Sequence, residues 1–93
     1  MSCLKQANLK ISEQVVTRQI GDETVLLNLE SGTYFGLDPV GSRFLELLQT
    51  EGALTAVIAR MLEEFDVTEP QLEADLLRLA DEMLASGLLE VAW

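Results

Sequence analysis

The sequence contains no histidine and a single cysteine, Cys3. Without imidazole the chain lacks the commonest general base and metal ligand of neutral pH. One cysteine with no histidine to activate it is a poor nucleophile, and it closes no intramolecular disulfide, which suits a reducing compartment. Basic residues are also scarce: six Lys and Arg stand against sixteen Asp and Glu, for a formal charge of -10. They are Lys5, Lys10, Arg18, Arg43, Arg60 and Arg78, and no two are adjacent. No basic stripe can neutralise phosphates, so nucleic acid and anionic membrane surfaces are disfavoured by long-range repulsion. Gly32 and Gly36 lack the spacing of a phosphate-binding loop, and the carboxylates do not follow an EF-hand pattern. No metal or cofactor is expected. No apolar run reaches the length of a membrane span, and Met1–Lys10 lacks the apolar core of a signal peptide. These absences predict a cytoplasmic protein that is not an enzyme and leave a binding module as the default.

Hydrophobic residues make up 48% of the 93 positions but aromatics only 5%. That is enough for one domain, residues 1–93, whose modest core must be filled mainly by aliphatic side chains. Residues 1–8 read as a flexible tail, with Leu9 and Ile11 alternating as a possible edge strand. Three strands follow: Val15–Ile20, rich in β-branched residues; Thr24–Leu29, with Val25, Leu27 and Leu29 on one face; and Thr33–Leu37. Gly21-Asp22 and Glu30-Ser31-Gly32 are the turns, short enough for an antiparallel meander.

Helical periodicity then takes over. Asp38-Pro39 is a helix start, since Asp caps exposed N–H groups and Pro has its φ preset for the first turn. Val40, Phe44, Leu47 and Leu48 share a face, and Gly52 ends the helix. Leu54, Val57, Ile58, Met61, Leu62 and Phe65 mark a second helix. Thr68 and Gln71 have the spacing of a capping box for a third, which stops at Gly87 and leaves Leu88, Leu89 and Val91 as an apolar tail. The fold class expected is α+β: a winged-helix-like plan of a three-stranded antiparallel sheet followed by three helices.

The third helix carries two apolar stripes. Leu72, Leu76, Leu79 and Met83 form one, and Leu77, Ala80 and Leu84 form another, rotated by about 100°. Either both stripes are core or one faces a partner. Strand three offers a second recognition element, because Tyr34 and Phe35 point to opposite faces and a sheet edge is a template for an extended peptide. The acidic runs Glu63-Glu64-Phe65-Asp66 and Asp81-Glu82 read as solvated surface.

These residues carry a resemblance. The run Leu26–Asp38, followed by Gly41, Phe44, Leu47 and Leu48, resembles the PqqD-like family, as do Ile58, Leu62 and Phe65, then Leu72, Asp75, Leu76 and Leu79, and the closing Leu84–Leu89 stretch. The family comprises the recognition elements of pathways that modify ribosomally made (RiPP) peptides. The resemblance implies that a precursor's leader peptide adds as a strand beside strand three, in a groove walled by helix three. The positions it assigns are Thr33, Tyr34, Phe35 and Gly36 on the strand, and Leu72, Asp75, Leu76, Arg78, Leu79 and Met83 on the helix. The stretch Asn28–Tyr34 is similar to the stand-alone proteins of lasso-peptide pathways, which deliver the precursor to a cysteine-protease-like leader peptidase. The quinone-pathway members instead serve as peptide chaperones for a radical SAM enzyme and often carry a Cys-Asp-Gly turn where this chain has Gln49-Thr50-Glu51-Gly52. Two readings from other classes stay open: a winged-helix DNA-binding module, with Arg78 as the lone cation on its recognition helix, and a dimerisation module that buries the second stripe against a copy of itself.

Overall fold

A computed structural model describes residues 7–92. Its elements are β1 (Leu9–Ile11), β2 (Val15–Ile20), β3 (Glu23–Asn28), β4 (Tyr34–Leu37), α1 (Pro39–Glu51), α2 (Leu54–Glu64), α3 (Glu69–Ala85) and β5 (Leu89–Val91). Strands β2, β3 and β4 form the expected antiparallel meander in that order. Ile20 pairs with Glu23, so Gly21-Asp22 is a two-residue loop, and Gly21 supplies the positive φ of 66° that the turn needs.

The core-facing side of β3 is the opposite of the apolar face read from its alternation. Thr24, Leu26 and Asn28 are buried, whereas Val25 and Leu27 are half-buried and Leu29 is 62% exposed. The cause is Asn28. Its Oδ1 accepts from the Glu30 and Ser31 N–H groups at 2.9 and 3.1 Å, ending the strand in a side-chain-stabilised turn and expelling Leu29. Its Nδ2 donates to the Gly87 carbonyl at 3.0 Å, so a polar side chain occupies a position that hydrophobicity alone would give to Leu.

Helix α1 begins as its sequence dictates. Asp38 Oδ1 accepts the Gly41 N–H at 2.8 Å, Pro39 occupies the first turn, and Gly52 closes the helix with φ 79°. Phe44, Leu45, Leu47 and Leu48 are buried against Leu26 of the sheet and Leu54, Val57, Ile58 and Met61 of α2. Arg43 joins α1 to α2 with a bidentate grip on Glu64, at 2.7 Å from Nε and 2.6 Å from a terminal nitrogen, and it also donates to Glu46. At the start of α3 the capping box does not form. Thr68 occupies the cap position with no side-chain bond, and Gln71 donates to Asp75 one turn along instead. Pro70 has no N–H for a cap to satisfy, which weakens the demand for one.

Both chain ends depart from the tails expected. Ala7 is buried and Asn8 bridges to Ala53, while residues 1–6 of the expected tail, and with them Cys3, lie outside the described residues. Strand β1 does not extend the meander. It pairs antiparallel with β5, Leu9 opposite Val91 and Ile11 opposite Leu89, in a separate two-stranded sheet. The residues read as an apolar tail are therefore a strand, and Leu88 and Leu89 are core. The turn into it follows the Schellman pattern: Gly87 has φ 74°, its N–H donates to the Leu84 carbonyl, and the Leu88 N–H donates to that of Met83.

Candidate functional site

Strand β4 is an edge strand: it pairs with β3 on one side and with no described strand on the other. Its unpaired side carries backbone donors and acceptors over four residues, about 13 Å of strand. Next to it runs α3, and between them lies an open cleft of about 570 Å³. Phe35, Gly36 and Leu37 of β4 form one wall, Asp38, Val40 and Gly41 close one end, and Asp75, Leu76, Leu79 and Glu82 of α3 form the other wall.

Helix geometry explains that wall. The fully packed positions of α3 are Leu72, Leu76, Ala80 and Met83. At about 100° per residue, Asp75, Leu79 and Glu82 make one strip along one flank of this buried seam, while Leu77 and Leu84 lie on the other. The two apolar stripes read from the sequence therefore sort differently. The core takes members of both, the groove takes Leu79, and half-buried Leu77 and Leu84 pack against the main core away from the groove. Gly41 lines the cleft at the α1 end. A Cβ there would stand 3.1 Å from Leu37 Cδ2, so α1 packs directly on the end of β4.

Of the ten residues singled out from the sequence, the structure brings five together in the groove: Phe35, Gly36, Asp75, Leu76 and Leu79. Arg78 stands beside it and donates to Asp75 at 2.9 Å. Leu72 and Met83 are buried in the core rather than lining the cleft. Tyr34 pairs with Leu27 on the outer face of the sheet, 71% exposed, and Thr33 precedes the strand in the turn, where its hydroxyl meets Ser31. The outer face thus takes Tyr34, and Phe35, opposite buried Leu26, takes the groove side.

As groove residues the sequence reading passed over Leu37, Asp38, Val40, Gly41 and Glu82. Asp38 is a helix cap that also stands at the groove end, and Val40, assigned to the core face of α1, is 40% exposed there. Glu82 had a legible signal: it lies seven residues after Asp75 and three after Leu79, on the same strip. Among the described residues no cluster of His, Cys, Asp or Glu is arranged to hold a metal, and no helix is long and apolar enough to cross a membrane.

An apolar cleft beside an unpaired strand edge accommodates a peptide in extended conformation, with its backbone on the strand and alternate side chains in the cleft. This is the arrangement expected of a PqqD-like RiPP recognition element, and the chain belongs to that family: the model of the coenzyme PQQ synthesis protein D (PqqD) matches residues 23–89. Among solved structures, the chain is 42% identical to TbiB1 in complex with the TbiA(beta) leader peptide, with a TM-score of 0.82 over 87% of this chain and 94% of that one. A lasso peptide synthetase B1 complexed with its leader peptide shares the fold at 20% identity, with a TM-score of 0.81 over 90% of this chain and 99% of that one. No curated protein matches the chain.

Proposed function

We propose that this protein binds the leader segment of a ribosomally made precursor peptide by strand addition along β4, and presents it to the enzymes that process it, a lasso-pathway leader peptidase first among them. The observation that carries the reading is the pairing of an open strand edge with an apolar cleft on the same side, Phe35 facing Leu76 and Leu79. Main-chain hydrogen bonds to β4 orient the peptide with little sequence demand, and apolar side chains in the cleft supply affinity. Each well-buried aliphatic group contributes about 1.5–3 kcal/mol before ordering costs. The likeness to TbiB1, solved with a leader peptide, supports the class of ligand. The chain is a carrier in this reading, and the chemistry belongs to its partners. The DNA-binding alternative has little to draw on, since Arg78, the one cation on α3, is already engaged by Asp75.

The test is calorimetric titration with the TbiA(beta) leader peptide and with a leader encoded beside this protein's own gene. Saturable one-to-one binding that is lost in Leu79→Glu supports the proposal. Equal affinity in a folded Leu79→Glu variant refutes it.

A further inference from the structure

The groove is apolar along its floor but acidic at both ends. Asp38 and Asp75 stand toward the α1 end, and Glu82 stands two turns along α3 from Asp75, about 10 Å away by helix rise. The ends can be told apart because Asn28 ties the last residues of α3 to the turn that opens β4: its side chain donates to Gly87 and its N–H donates to the Thr33 carbonyl. Glu82 is therefore beside the start of β4.

The three carboxylates are not equivalent. Asp38 is engaged by the Gly41 N–H, and Asp75 accepts from both Gln71 and Arg78. The Glu82 carboxylate makes no hydrogen bond or ion pair with a described residue, although its main-chain carbonyl accepts the Ser86 N–H. A second observation points the same way. The final turn of α3 contains no basic residue, so no cation in that turn offsets the negative end of the helix dipole where Glu82 stands, with Asp81 next to it. The whole chain, at a formal charge of -10, adds a long-range field of the same sign.

We infer that the groove selects strands that place a Lys or Arg side chain against Glu82, two positions from an aliphatic residue seated over Leu79. Alternate residues of an added strand share a face, so this pair falls on the groove side together. The inference rests on the peptide-binding reading and specifies its ligand: a cationic, aliphatic strand. Leu79 supplies affinity and Glu82 supplies preference. The long cationic side chain lies along the apolar floor with its charge at the rim. Neutralising Glu82 weakens binding roughly threefold, as a rim ion pair does, and reversing its charge weakens it on the order of tenfold.

The test is selection of short random peptides displayed against the wild-type protein, Glu82→Lys, Leu79→Glu and Glu63→Lys. The last makes the same charge change on an exposed position of α2 outside the groove. The expected result is Lys or Arg two positions from an aliphatic residue in wild type, replacement of that cation by Asp or Glu in Glu82→Lys, and an unchanged pattern in Glu63→Lys. Selection of aliphatic strands with no charge preference, or the same cation in Glu82→Lys, overturns the inference and leaves the groove standing. A cation preference lost equally in Glu63→Lys assigns it to net charge and also overturns the inference. Peptides that bind Leu79→Glu as well as wild type overturn the groove reading and the inference with it.

Discussion

Asn28 and Gly87, 59 positions apart, are joined by a hydrogen bond of 3.0 Å from the Asn28 side chain to the Gly87 carbonyl. It fastens the β3–β4 turn to the end of α3 and so fixes the two walls of the groove relative to one another. The approach is tight: a Cβ on Gly87 would lie 3.0 Å from Asn28 Nδ2 at a backbone φ of 74°. Gly87 thus serves the helix end and the groove at once.

Asn28→Leu fills the position with an apolar side chain but leaves the Glu30 and Ser31 N–H groups and the Gly87 carbonyl without their partner. The expected loss is about 2–3 kcal/mol, read as a lower urea midpoint with an unchanged slope. Gly87→Ala is expected to cost about 1–2 kcal/mol through its positive φ and the contact with Asn28.

Leu79 and Met83 lie one helical turn apart and answer differently to substitution. Met83→Ala empties a fully buried site and is expected to cost about 2–5 kcal/mol of stability. Leu79→Glu projects into the cleft and is expected to leave the melting temperature nearly unchanged while weakening leader binding roughly 10- to 100-fold. Leu76→Glu buries a charge at a position only 2% exposed and is expected to unfold the domain, so it cannot serve as a binding probe. Thermal melts and calorimetry on the variants separate these outcomes.

The Arg43–Glu64 bridge makes stability depend on pH. The hydrogen bonds from Arg43 hold the Glu64 carboxyl below the usual carboxylate range, and Arg43 is held protonated well beyond any working pH. A carboxyl whose folded value is depressed stabilises the fold above its unfolded value, and that contribution is lost as pH falls through the folded one. Glu64→Gln is therefore expected to melt below wild type at about pH 7 and to approach it at about pH 3, in melting curves taken across that range. Both side chains are about one-third exposed, so added salt narrows the difference.

The sequence discloses the fold's order and the elements with strong local signals. The Asp38-Pro39 start, the Gly52 and Gly87 stops and the Gly21 turn each rest on the chemistry of one or two neighbouring residues. What it hides is set by distant partners. Nothing local to Leu9–Ile11 or Leu89–Val91 says that they pair, because each is three residues long and neither has a partner nearby in sequence. Which face of β3 meets the core was not legible, because Asn28 is buried by a bond to Gly87, which periodicity does not register. The two elements read from the sequence as the proposed site, strand three and helix three, do flank one cleft. The membership of that cleft was not legible, because only about 100° of rotation about α3 separates Leu79 in the cleft from Ala80 in the core, and Glu82, read as solvated surface, lines the groove.

The central claim, a peptide added to the free edge of β4 with its side chains in the cleft, is tested most directly by a nitrogen-15 NMR titration with the TbiA(beta) leader peptide, paired with amide exchange. The account predicts saturable shifts concentrated in Tyr34–Leu37 and along Asp75, Leu76, Leu79 and Glu82, with new exchange protection in β4. Shifts confined to β2 or to the outer face around Tyr34 and Leu27, with β4 exchange unchanged, or no shifts at millimolar peptide, would contradict it.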